Sequence, residues 1–439
     1  MQFAKRRDFL VGLASSAAIA ASNESAAQSP VNHSELLENS ILPPADLTDI
    51  EKNETYWLSV KKLYAVSPQL VNLENGYWGV MTEQVRLQFH SHMERINREN
   101  SHYARKQFFA DAELARNRVA NAVGALPQEI AFTRGATEAM QLLIGGFNAI
   151  RPGDSVIYSD LDYDSMQYSM NWLAQRRGVQ VVKFNIPEPA TKENVLLAYE
   201  RVLRENPRAQ LLLVTHISHR TGLLMPVKEI VDLAKKSGVT VILDAAHSWG
   251  QLDFKVSDLG VDFAGFNLHK WIGAPLGVGF LYVKKDRLSD IDTAMGDEDF
   301  PSSDIRSRVH SGTTNFATLL TVPKALSVHQ QIGPMAKERR LRYLRNHWVE
   351  QVHSLPAIEV LTPKDPSMSA GITSFRIKGK TTAAENNALV DALLNQYGIF
   401  TVRRGGVAKG HCVRISPALY NDEQDLDRLV RALKMIVSS

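Results

Sequence analysis

The alternation of short apolar runs with helical segments between residues 129 and 283 most restricts how this chain can fold. The runs read "EIAFT", "DSVIYS", "VQVVKF", "AQLLLVTH", "VTVILDAA", "DFAGF" and "GVGFLYV". The helical patterns between them include "TEAMQLLIGGFNAI", "DSMQYSMNWLAQRRG" and "VKEIVDLAKKSG". Repeated strand–helix–strand units are typical of a parallel sheet with helices on both faces. We therefore predict an α/β fold whose mainly parallel, seven-stranded sheet is sandwiched by helices.

The alternation of strand-like and helical patterns ends after about residue 320. A long charged helical pattern, "MAKERRLRYLRNHWVEQVHSL", precedes the strand-like "GITSFRIKG", the helical "AAENNALVDALLNQYG", two more strand-like runs and a last helical segment. This mixed order predicts a smaller α+β C-terminal domain over residues 319–439. A large domain is then expected over 73–318, and a polar N-terminal arm with one helix over 28–72.

The first 27 residues are predicted to be an export signal. "KRRDFL" supplies a basic start, "VGLASSAAIAAS" a short apolar stretch, and small residues follow. This pattern is typical of a signal peptide, and the paired Arg6 and Arg7 indicate the twin-arginine type. We therefore expect a periplasmic protein; a frayed basic terminus is the alternative. The apolar stretch is too short to span a bilayer, so no membrane anchor is expected.

The composition is that of an ordinary globular enzyme. Hydrophobic residues make up 44% of the chain, charged residues 22%, and the formal net charge is +3. Such a balance gives no reason to expect nucleic acid or an anionic membrane as a partner. The single cysteine, Cys412, fits export to an oxidising compartment without an intrachain disulfide. No metal site is predicted.

Three chemically informative segments follow predicted strands, where parallel sheets bind ligands. The first is "RGATEAM" after "EIAFT". Gly135 and Ala136 are small, and Thr137 can cap the helix that follows. A Gly-containing turn into a helix N-terminus can hold phosphate through backbone N–H groups. An ordinary capped helix has the same pattern.

The second and third segments supply a carboxylate and an amine. Asp244 ends the run "VTVILD", where a carboxylate is costly unless it has a partner such as a protonated ring nitrogen. Lys270 stands in "FNLHKW" between apolar segments, and desolvation there would lower its pKa and expose its lone pair. The alternatives are a capping role for Asp244 and a solvent-reaching side chain for Lys270.

Together these segments match the parts needed to hold pyridoxal 5′-phosphate (PLP). A lysine condenses with the cofactor's aldehyde, a carboxylate keeps the pyridine nitrogen protonated, and a helix end takes the phosphate. Asp244 and Lys270 are separated by about one crossover plus a strand. We therefore predict PLP as the cofactor, with Lys270 and Asp244 as catalytic residues.

The motifs "TRGATEAM", "LDAAHSWGQ", "FNLHKWIGAPLGVGFLYV", "SGTTNFA" and "VRISPALYNDEQDLDRLVRAL" occur in this order. Over most of residues 70–435 the chain resembles the class V aminotransferase family of fold-type I PLP-dependent enzymes. That family includes cysteine desulfurases and isopenicillin N epimerases, and "ENGYWGVM" resembles the opening of the epimerase branch. The resemblance implies a fold-type I PLP-dependent transferase fold, with PLP bound in the large domain.

The resemblance also implies individual roles. Tyr163 would stack on the cofactor ring, His247 would lie near its phenolic oxygen, and His269 would contact the phosphate. Thr313 matches a residue that the family delivers across a dimer interface, which implies a homodimer with shared active sites. His219 stands where many relatives have asparagine. The implied cofactor-binding residues are Gly135, Ala136, Thr137, Tyr163, His219, Asp244, His247, His269, Lys270 and Thr313.

The resemblance assigns the substrate's α-carboxylate to Arg414, whose guanidinium suits a bidentate clamp. Asn75, in "ENGYWGVM", is expected near the substrate. "NRENSHYARKQF" resembles a pocket-lining stretch of the epimerase branch, so Arg105 or Tyr103 would face the substrate. A solvated helix end is the alternative for this stretch.

The expected activity is PLP chemistry at the amino group or α-carbon of an amino-acid-like substrate. Cys412 lies two residues before Arg414 in a predicted strand and not on the loop that desulfurases use, so it is interpreted as packing and a desulfurase is not expected. With the export signal, the chain resembles periplasmic PLP enzymes that modify the glutamyl side chain of pyoverdine siderophores. The alternatives are an epimerase, racemase or aminotransferase acting on a small free substrate, and a non-catalytic binding protein with this fold.

Overall fold

The computed structural model describes residues 42–44 and 46–438. The predicted export signal lies outside the described residues, as does the beginning of the predicted arm. The helices are α1 (Glu54–Lys61), α2 (Glu83–Lys106), α3 (Phe108–Val123), α4 (Ala136–Gly146), α5 (Asp164–Arg177), α6 (Lys192–Glu205), α7 (Val227–Lys236), α8 (Phe316–Ile332), α9 (Pro334–Val352), α10 (Ala383–Tyr397) and α11 (Glu423–Ser438). Among the described residues, no helix is both long enough and apolar enough to cross a membrane.

Most strands correspond to the predicted apolar runs, whereas those at residues 71–72 and 358–360 were not predicted. They are β1 (Val71–Asn72), β2 (Ile130–Thr133), β3 (Ser155–Ser159), β4 (Gln180–Phe184), β5 (Ala209–Thr215), β6 (Thr240–Asp244), β7 (Phe263–Asn267), β8 (Gly279–Val283), β9 (Ile358–Val360), β10 (Thr373–Ile377), β11 (Ile399–Phe400), β12 (Val402–Arg404) and β13 (Cys412–Ile415).

The large sheet has seven strands in the order β2-β8-β7-β6-β5-β3-β4, as predicted. Strands β4, β3, β5, β6 and β7 pair in parallel, while β8 runs antiparallel to both β7 and β2. From β3 the chain moves outward to β4 and then returns to β5 on the other side. Open sheets bind ligands at the carboxyl edge beside such a change of direction. The sequence-predicted site residues follow β2, β6 and β7 at this edge.

Burial on both faces explains why the strands are nearly continuous apolar runs. All five residues of β3 and all five of β7 are buried. Within β7, Phe266 stacks on Phe280 with ring centroids 4.5 Å apart, whereas Phe263 packs edge-on against Phe147 at 6.1 Å. Odd and even strand positions therefore serve two separate apolar layers, because successive side chains point to opposite faces.

A second sheet, ordered β12-β13-β10-β9, lies in the C-terminal part and is antiparallel throughout. Its core includes Trp348 and Phe375, whose rings pack edge-on at 5.9 Å. The short strand β1 pairs in parallel with β11, so residues 71–72 join the C-terminal part before the chain enters the large sheet. The domain limits stay predictions; a boundary at 318/319 would fall inside α8.

The described part of the predicted arm contains α1, which packs against α8 and α9. The Tyr56 hydroxyl donates to the carbonyl of Ile332 at 3.0 Å, and Arg340 pairs with Glu54 with Nη2 and Oε2 3.2 Å apart. Trp57 is buried. These contacts fix the N-terminal segment on the helices that back the lysine-bearing loop.

Candidate active site

Lys270 lies in the loop between β7 and β8, and this loop is held at three backbone carbonyls. The Gly79 N–H donates to the His269 carbonyl at 2.9 Å, and the Gly273 N–H donates to the Lys270 carbonyl at 3.1 Å. From the opposite side, Lys337 Nζ donates to the Trp271 carbonyl at 2.8 Å. The backbone that carries Lys270 is therefore fixed by one hydrogen bond within the loop and by two other segments of the chain.

The Lys270 amine faces His247. Nζ of Lys270 lies 3.0 Å from Nε2 of His247, and the Trp271 indole N–H donates to Nδ1 of His247 at 3.4 Å. Because Nδ1 accepts this hydrogen bond, the neutral imidazole carries its proton on Nε2 and directs it at the lysine nitrogen. Burial lowers the pKa of His247 well below its usual value, and the nearby charge of Lys270 lowers it further.

Burial also lowers the pKa of Lys270, to about 7, although the negative charge of Asp244 opposes this change. The Arg414 charge contributes to the lowering. At neutral pH a substantial fraction of this amine is therefore unprotonated and carries a free lone pair. Such an amine can condense with a carbonyl group and can later accept or donate a proton.

Asp244 ends strand β6 and is paired in register with Gly265 of β7, the strand that leads to Lys270. Its carboxylate is buried, and Oδ1 accepts the Ala246 N–H at 2.9 Å. Burial raises the pKa of Asp244, while the Ala246 hydrogen bond and the Lys270 charge oppose the rise. A buried carboxylate at this point favours a cationic partner in the cavity.

The N-terminus of α4 forms another wall of the site. Asn267, the last residue of β7, accepts the Ala136 N–H on Oδ1 at 2.7 Å. A Cβ added at Gly135 would lie 3.1 Å from Asn267 Oδ1 and 3.2 Å from His269 Cε1, so only glycine fits without displacement. His269 itself is oriented by a 3.0 Å contact between Nδ1 and the Val278 carbonyl. The exposed Thr137 and the helix N-terminus face the cavity, where the sequence predicts a phosphate.

Tyr163 and His219 form a third wall. Their rings meet edge-on with centroids 5.0 Å apart. Asp162 fixes the turn that carries Tyr163, because it accepts from the Ser159 N–H at 2.7 Å and from the Thr215 hydroxyl at 2.8 Å. Burial lowers the pKa of His219 to about 3, although Asp164 opposes the shift, so its imidazole is neutral.

Arg414 and Arg404 lie together at the fourth wall with a carboxylate, Glu74, between them. Arg414 Nη2 donates to Glu74 Oε2 at 2.8 Å, and Arg404 Nη2 donates to Glu74 Oε1 at 3.4 Å. Arg414 Nη1 donates to the His219 carbonyl at 2.8 Å. Burial lowers the pKa of Arg404 to about 10, with a further contribution from the charge of Arg414.

These walls enclose an open cavity of about 540 Å³. A cavity of this size with a few convergent polar groups is typical of small-molecule sites. Most of the predicted site residues line it: Gly135, Ala136, Thr137, Tyr163, His219, Asp244, His247, His269, Lys270 and Arg414.

Three predicted residues do not line this cavity. Thr313 is exposed and borders a separate cavity beside Phe316, so its delivery to a partner's site stays a prediction. Arg105 is exposed in the last turn of α2. Asn75 is buried, and its side-chain amide donates to the Ser416 carbonyl at 2.9 Å, which ties the N-terminal segment to β13.

Tyr103, the alternative to Arg105, is fully buried. Its hydroxyl donates to Asp111 at 2.7 Å, and the Arg95 guanidinium lies 4.4 Å from its ring centroid. In the described chain it is therefore a packing residue of the α2–α3 corner. The sequence interpretation missed Glu74, Arg404 and Asn267. The position of Asn267 at the end of a strand was the available signal, as for Asp244.

The residues of the cavity fit PLP. A phosphate suits the N-terminus of α4, a protonated ring nitrogen suits Asp244, and an aldehyde suits the amine of Lys270. The buried Nδ1 of His219 has no hydrogen-bond partner among the described residues, which leaves it available to a bound group. Fold and site therefore define a fold-type I PLP-dependent enzyme.

Comparison with known proteins supports this class. The family model "Aminotransferase class-V" matches residues 80–429, and the chain belongs to the class V aminotransferase family. It is 28% identical over 404 residues to isopenicillin N epimerase of Streptomyces clavuligerus, covering 86% of this chain and 97% of the relative. It is also 30% identical over 350 residues to a cysteine desulfurase of Yersinia pestis, covering 74% and 82% of the two chains.

The fold is shared with solved PLP enzymes. A C-DES variant with glycine covalently linked to its PLP cofactor superimposes with a TM-score of 0.72 at 20% identity, covering 83% of this chain and 96% of that one. The predicted fold, cofactor and epimerase-like branch are thus confirmed. The exclusion of a desulfurase is not, because desulfurases are among the relatives.

Replacing Gly79 with alanine is expected to displace the lysine-bearing loop. A Cβ at Gly79 would lie 1.9 Å from the Lys270 carbonyl oxygen, so the two segments must separate. We expect a loss of about 1–3 kcal/mol in the free energy of unfolding, together with weaker PLP binding. Thermal unfolding and the visible absorbance of bound PLP measure the two effects. Gly145→Ala, whose Cβ meets Trp172 at an ordinary 3.5 Å, is the control, and equal behaviour of both variants would contradict the prediction.

Lys337 is expected to make stability depend on pH. Burial lowers its pKa from 10.5 to about 7. Between these values the unfolded chain binds more protons than the folded one, so stability rises with pH. Relative to Lys337→Met, the wild type should gain up to about 2–3 kcal/mol between pH 7 and 9, at about 1.4 kcal/mol per pH unit. Urea unfolding at both pH values measures this difference.

The exposed Lys228, which pairs with the exposed Asp232, serves as the control for that experiment. Lys228→Met should keep a constant difference from the wild type at both pH values. A constant difference for Lys337→Met as well would show that its amine does not titrate in this range.

Proposed function

We propose that this protein is an exported PLP-dependent enzyme that acts at the amino group or α-carbon of an amino-acid-like substrate. The observation that carries the proposal is the position of the Lys270 amine, 3.0 Å from His247 and in one cavity with the buried Asp244 and Arg414. An amine with a lowered pKa, a buried carboxylate and a guanidinium are the groups that such a reaction requires.

The geometry supports one role for each of these residues. Bound PLP supplies an electron sink for charge that develops at the substrate α-carbon. Asp244 would hold the proton on the ring nitrogen, and the α4 N-terminus would bind the phosphate. Arg414 binds the substrate carboxylate. Lys270 Nζ would take or return the proton at the α-carbon, and the neutral His247, 3.0 Å away, would keep the amine in place.

The state of Cys412 favours a reaction other than cysteine desulfuration. Its thiol is fully buried in β13 and contacts the carbonyls of Arg220 and Arg404 at 3.7 and 3.8 Å. Burial raises its pKa to about 11. A persulfide-accepting cysteine needs an accessible thiolate, and Cys412 is the only cysteine in the sequence.

The substrate that we propose is the glutamyl side chain of a pyoverdine-type peptide siderophore, modified in the periplasm. The twin-arginine pattern around Arg6 and Arg7 supports export after folding and cofactor binding. The openness of the cavity next to the exposed Tyr77 and Trp78 supports a substrate larger than a free amino acid.

Incubation of the purified holoprotein with a pyoverdine precursor peptide tests this proposal. Mass spectrometry should show a changed glutamyl group, and Lys270→Ala should leave the peptide unchanged. An unaltered precursor in both samples would refute the siderophore role. Fractionation of the native host, followed by immunodetection, tests the periplasmic location separately.

Epimerisation is the second candidate, because the chain is 28% identical to an isopenicillin N epimerase. Performing the same incubation in D₂O separates the two outcomes. Proton exchange at the α-carbon would add one deuterium and invert the stereocentre, which chiral chromatography detects. Group transfer would instead replace or remove the amino group.

A further inference from the structure

The carboxylate of Glu74 is paired with the guanidinium of Arg414, which is the group that the proposed function assigns to the substrate carboxylate. Its side chain is 7% exposed, and both carboxylate oxygens accept from Arg414 Nη2, Oε2 at 2.8 Å. The backbone around Glu74 is fixed as well, because the next residue, Asn75, donates its N–H to the Ser416 carbonyl at 3.2 Å. The carboxylate is therefore held against Arg414 by its own chain segment.

The remaining donors of Arg414 cannot bind a second carboxylate in bidentate fashion while Glu74 stays. Nη1 donates to the His219 carbonyl, and Nη2 is engaged by Glu74. Nε has no partner among the described residues. A two-point contact uses Nε with Nη2, or Nη1 with Nη2. Either contact needs Nη2, so Glu74 must move first.

Arg404 is an alternative hydrogen-bonding partner for the carboxylate of Glu74. Arg404 Nη2 already lies 3.4 Å from Glu74 Oε1, and Arg404 Nε has no partner among the described residues. Two guanidinium groups and one carboxylate leave one net positive charge in the cluster. One further carboxylate neutralises it, and each guanidinium then has one anionic partner.

We propose that Glu74 is an internal competitor for Arg414, which the carboxylate of the substrate displaces onto Arg404. This inference rests on the proposed function for the identity of the incoming carboxylate. Glu74 is thus a specificity-determining residue. It keeps the buried guanidinium paired in the free protein and weakens the binding of any carboxylate that lacks other contacts in the cavity.

The sign of the effect of Glu74→Gln tests the proposal. Removal of the competing charge should lower KM for the amino-acid or peptide substrate about tenfold, with a smaller change in kcat, as expected for the loss of one charge-assisted contact. A residue that only supports the fold would raise KM. Glu74→Asp, which keeps the charge, should keep KM within a few-fold of the wild type. This second variant keeps the proposal testable if Glu74→Gln does not fold.

Calorimetric titration with acetate gives a readout that needs no turnover. Acetate should bind Glu74→Gln about tenfold more tightly than the wild type. If the wild type shows no bound PLP and no turnover, the proposed function fails, but the acetate comparison still decides the role of Glu74. An unchanged or weaker acetate affinity of Glu74→Gln would overturn the competitor role.

Glu188→Gln is the matched control. Glu188 is also a glutamate paired with a buried arginine, with its Oε2 3.0 Å from Arg376 Nη1, and neither residue lines the cavity. Arg376 keeps Glu359 at 3.4 Å in this variant. We expect unchanged KM and unchanged acetate affinity. An equal gain in Glu188→Gln would show a general effect of unpairing arginines and would also overturn the proposal.

Discussion

Replacing Lys270 with alanine should lower turnover by about a thousandfold or more while leaving the fold intact. In the proposed function the side chain supplies both the amine that condenses with PLP and the base that moves the α-proton, and positioned acid–base groups alone contribute about 10²–10⁴. Burial lowers the pKa of this amine, so its charge opposes folding and its removal should not cost stability. Steady-state rates and thermal unfolding of the same preparation measure the two effects.

A covalent label gives the second measurement for Lys270. Borohydride reduction of the wild-type holoprotein should leave a pyridoxyl group on Lys270, located by peptide mapping, and no such label should appear in Lys270→Ala. The exposed Lys255, which donates to the Ala122 carbonyl at 2.9 Å, is a suitable control because its replacement by alanine should retain both label and activity. A label on another lysine in the wild type would contradict the assignment.

The large sheet could be predicted because its strands are buried on both faces. Runs such as "VTVILD" have no polar alternation, and their length and β-branched content separate them from helices. The reversal at β8 could not be read from these patterns. Residues 268–278 connect β7 to β8 without a helix. An apolar run does not indicate whether its strand lies parallel or antiparallel to its neighbours. The long helices α2 and α3 were likewise not assigned from sequence.

The site was predictable where a residue immediately follows a strand. Asp244 and Lys270 could be found this way because the carboxyl ends of parallel strands meet at one edge. Glu74 and Arg404 could not. They meet because β1 pairs with β11 and because Arg404 is paired in register with Cys412 on β13. Such pairings between distant segments have no signature in a short stretch of sequence.

The same limitation applies to the two residues that were predicted near the substrate but do not line the cavity. Asn75 and Arg105 were assigned from short stretches that resemble pocket-lining segments. Within "LENG" the side chain of Glu74 turns towards Arg414, whereas that of Asn75 turns towards Ser416. Gly76, Tyr77 and Trp78 of this stretch line the cavity, whereas Asn75 does not. A shift of one position reverses the facing of a side chain in extended backbone.

Replacing Asp244 with asparagine should lower kcat by about 10²–10⁴, the range of a lost acid–base contribution, without destabilising the fold. An amide cannot stabilise a proton on the pyridine nitrogen, so the cofactor would lose most of its capacity to accept electrons. Stability should stay equal or rise, because Asp244 is a buried carboxylate whose pKa burial already raises. Initial rates and thermal unfolding measure the two effects. Asp160→Asn is the matched control: that carboxylate is also buried, but each of its two oxygens accepts a backbone N–H, from Ile186 at 2.8 Å and from Ala408 at 3.1 Å. An amide has one acceptor oxygen, so this replacement should cost stability and spare kcat. Full activity of Asp244→Asn would remove the reason for assigning PLP chemistry to this edge of the sheet.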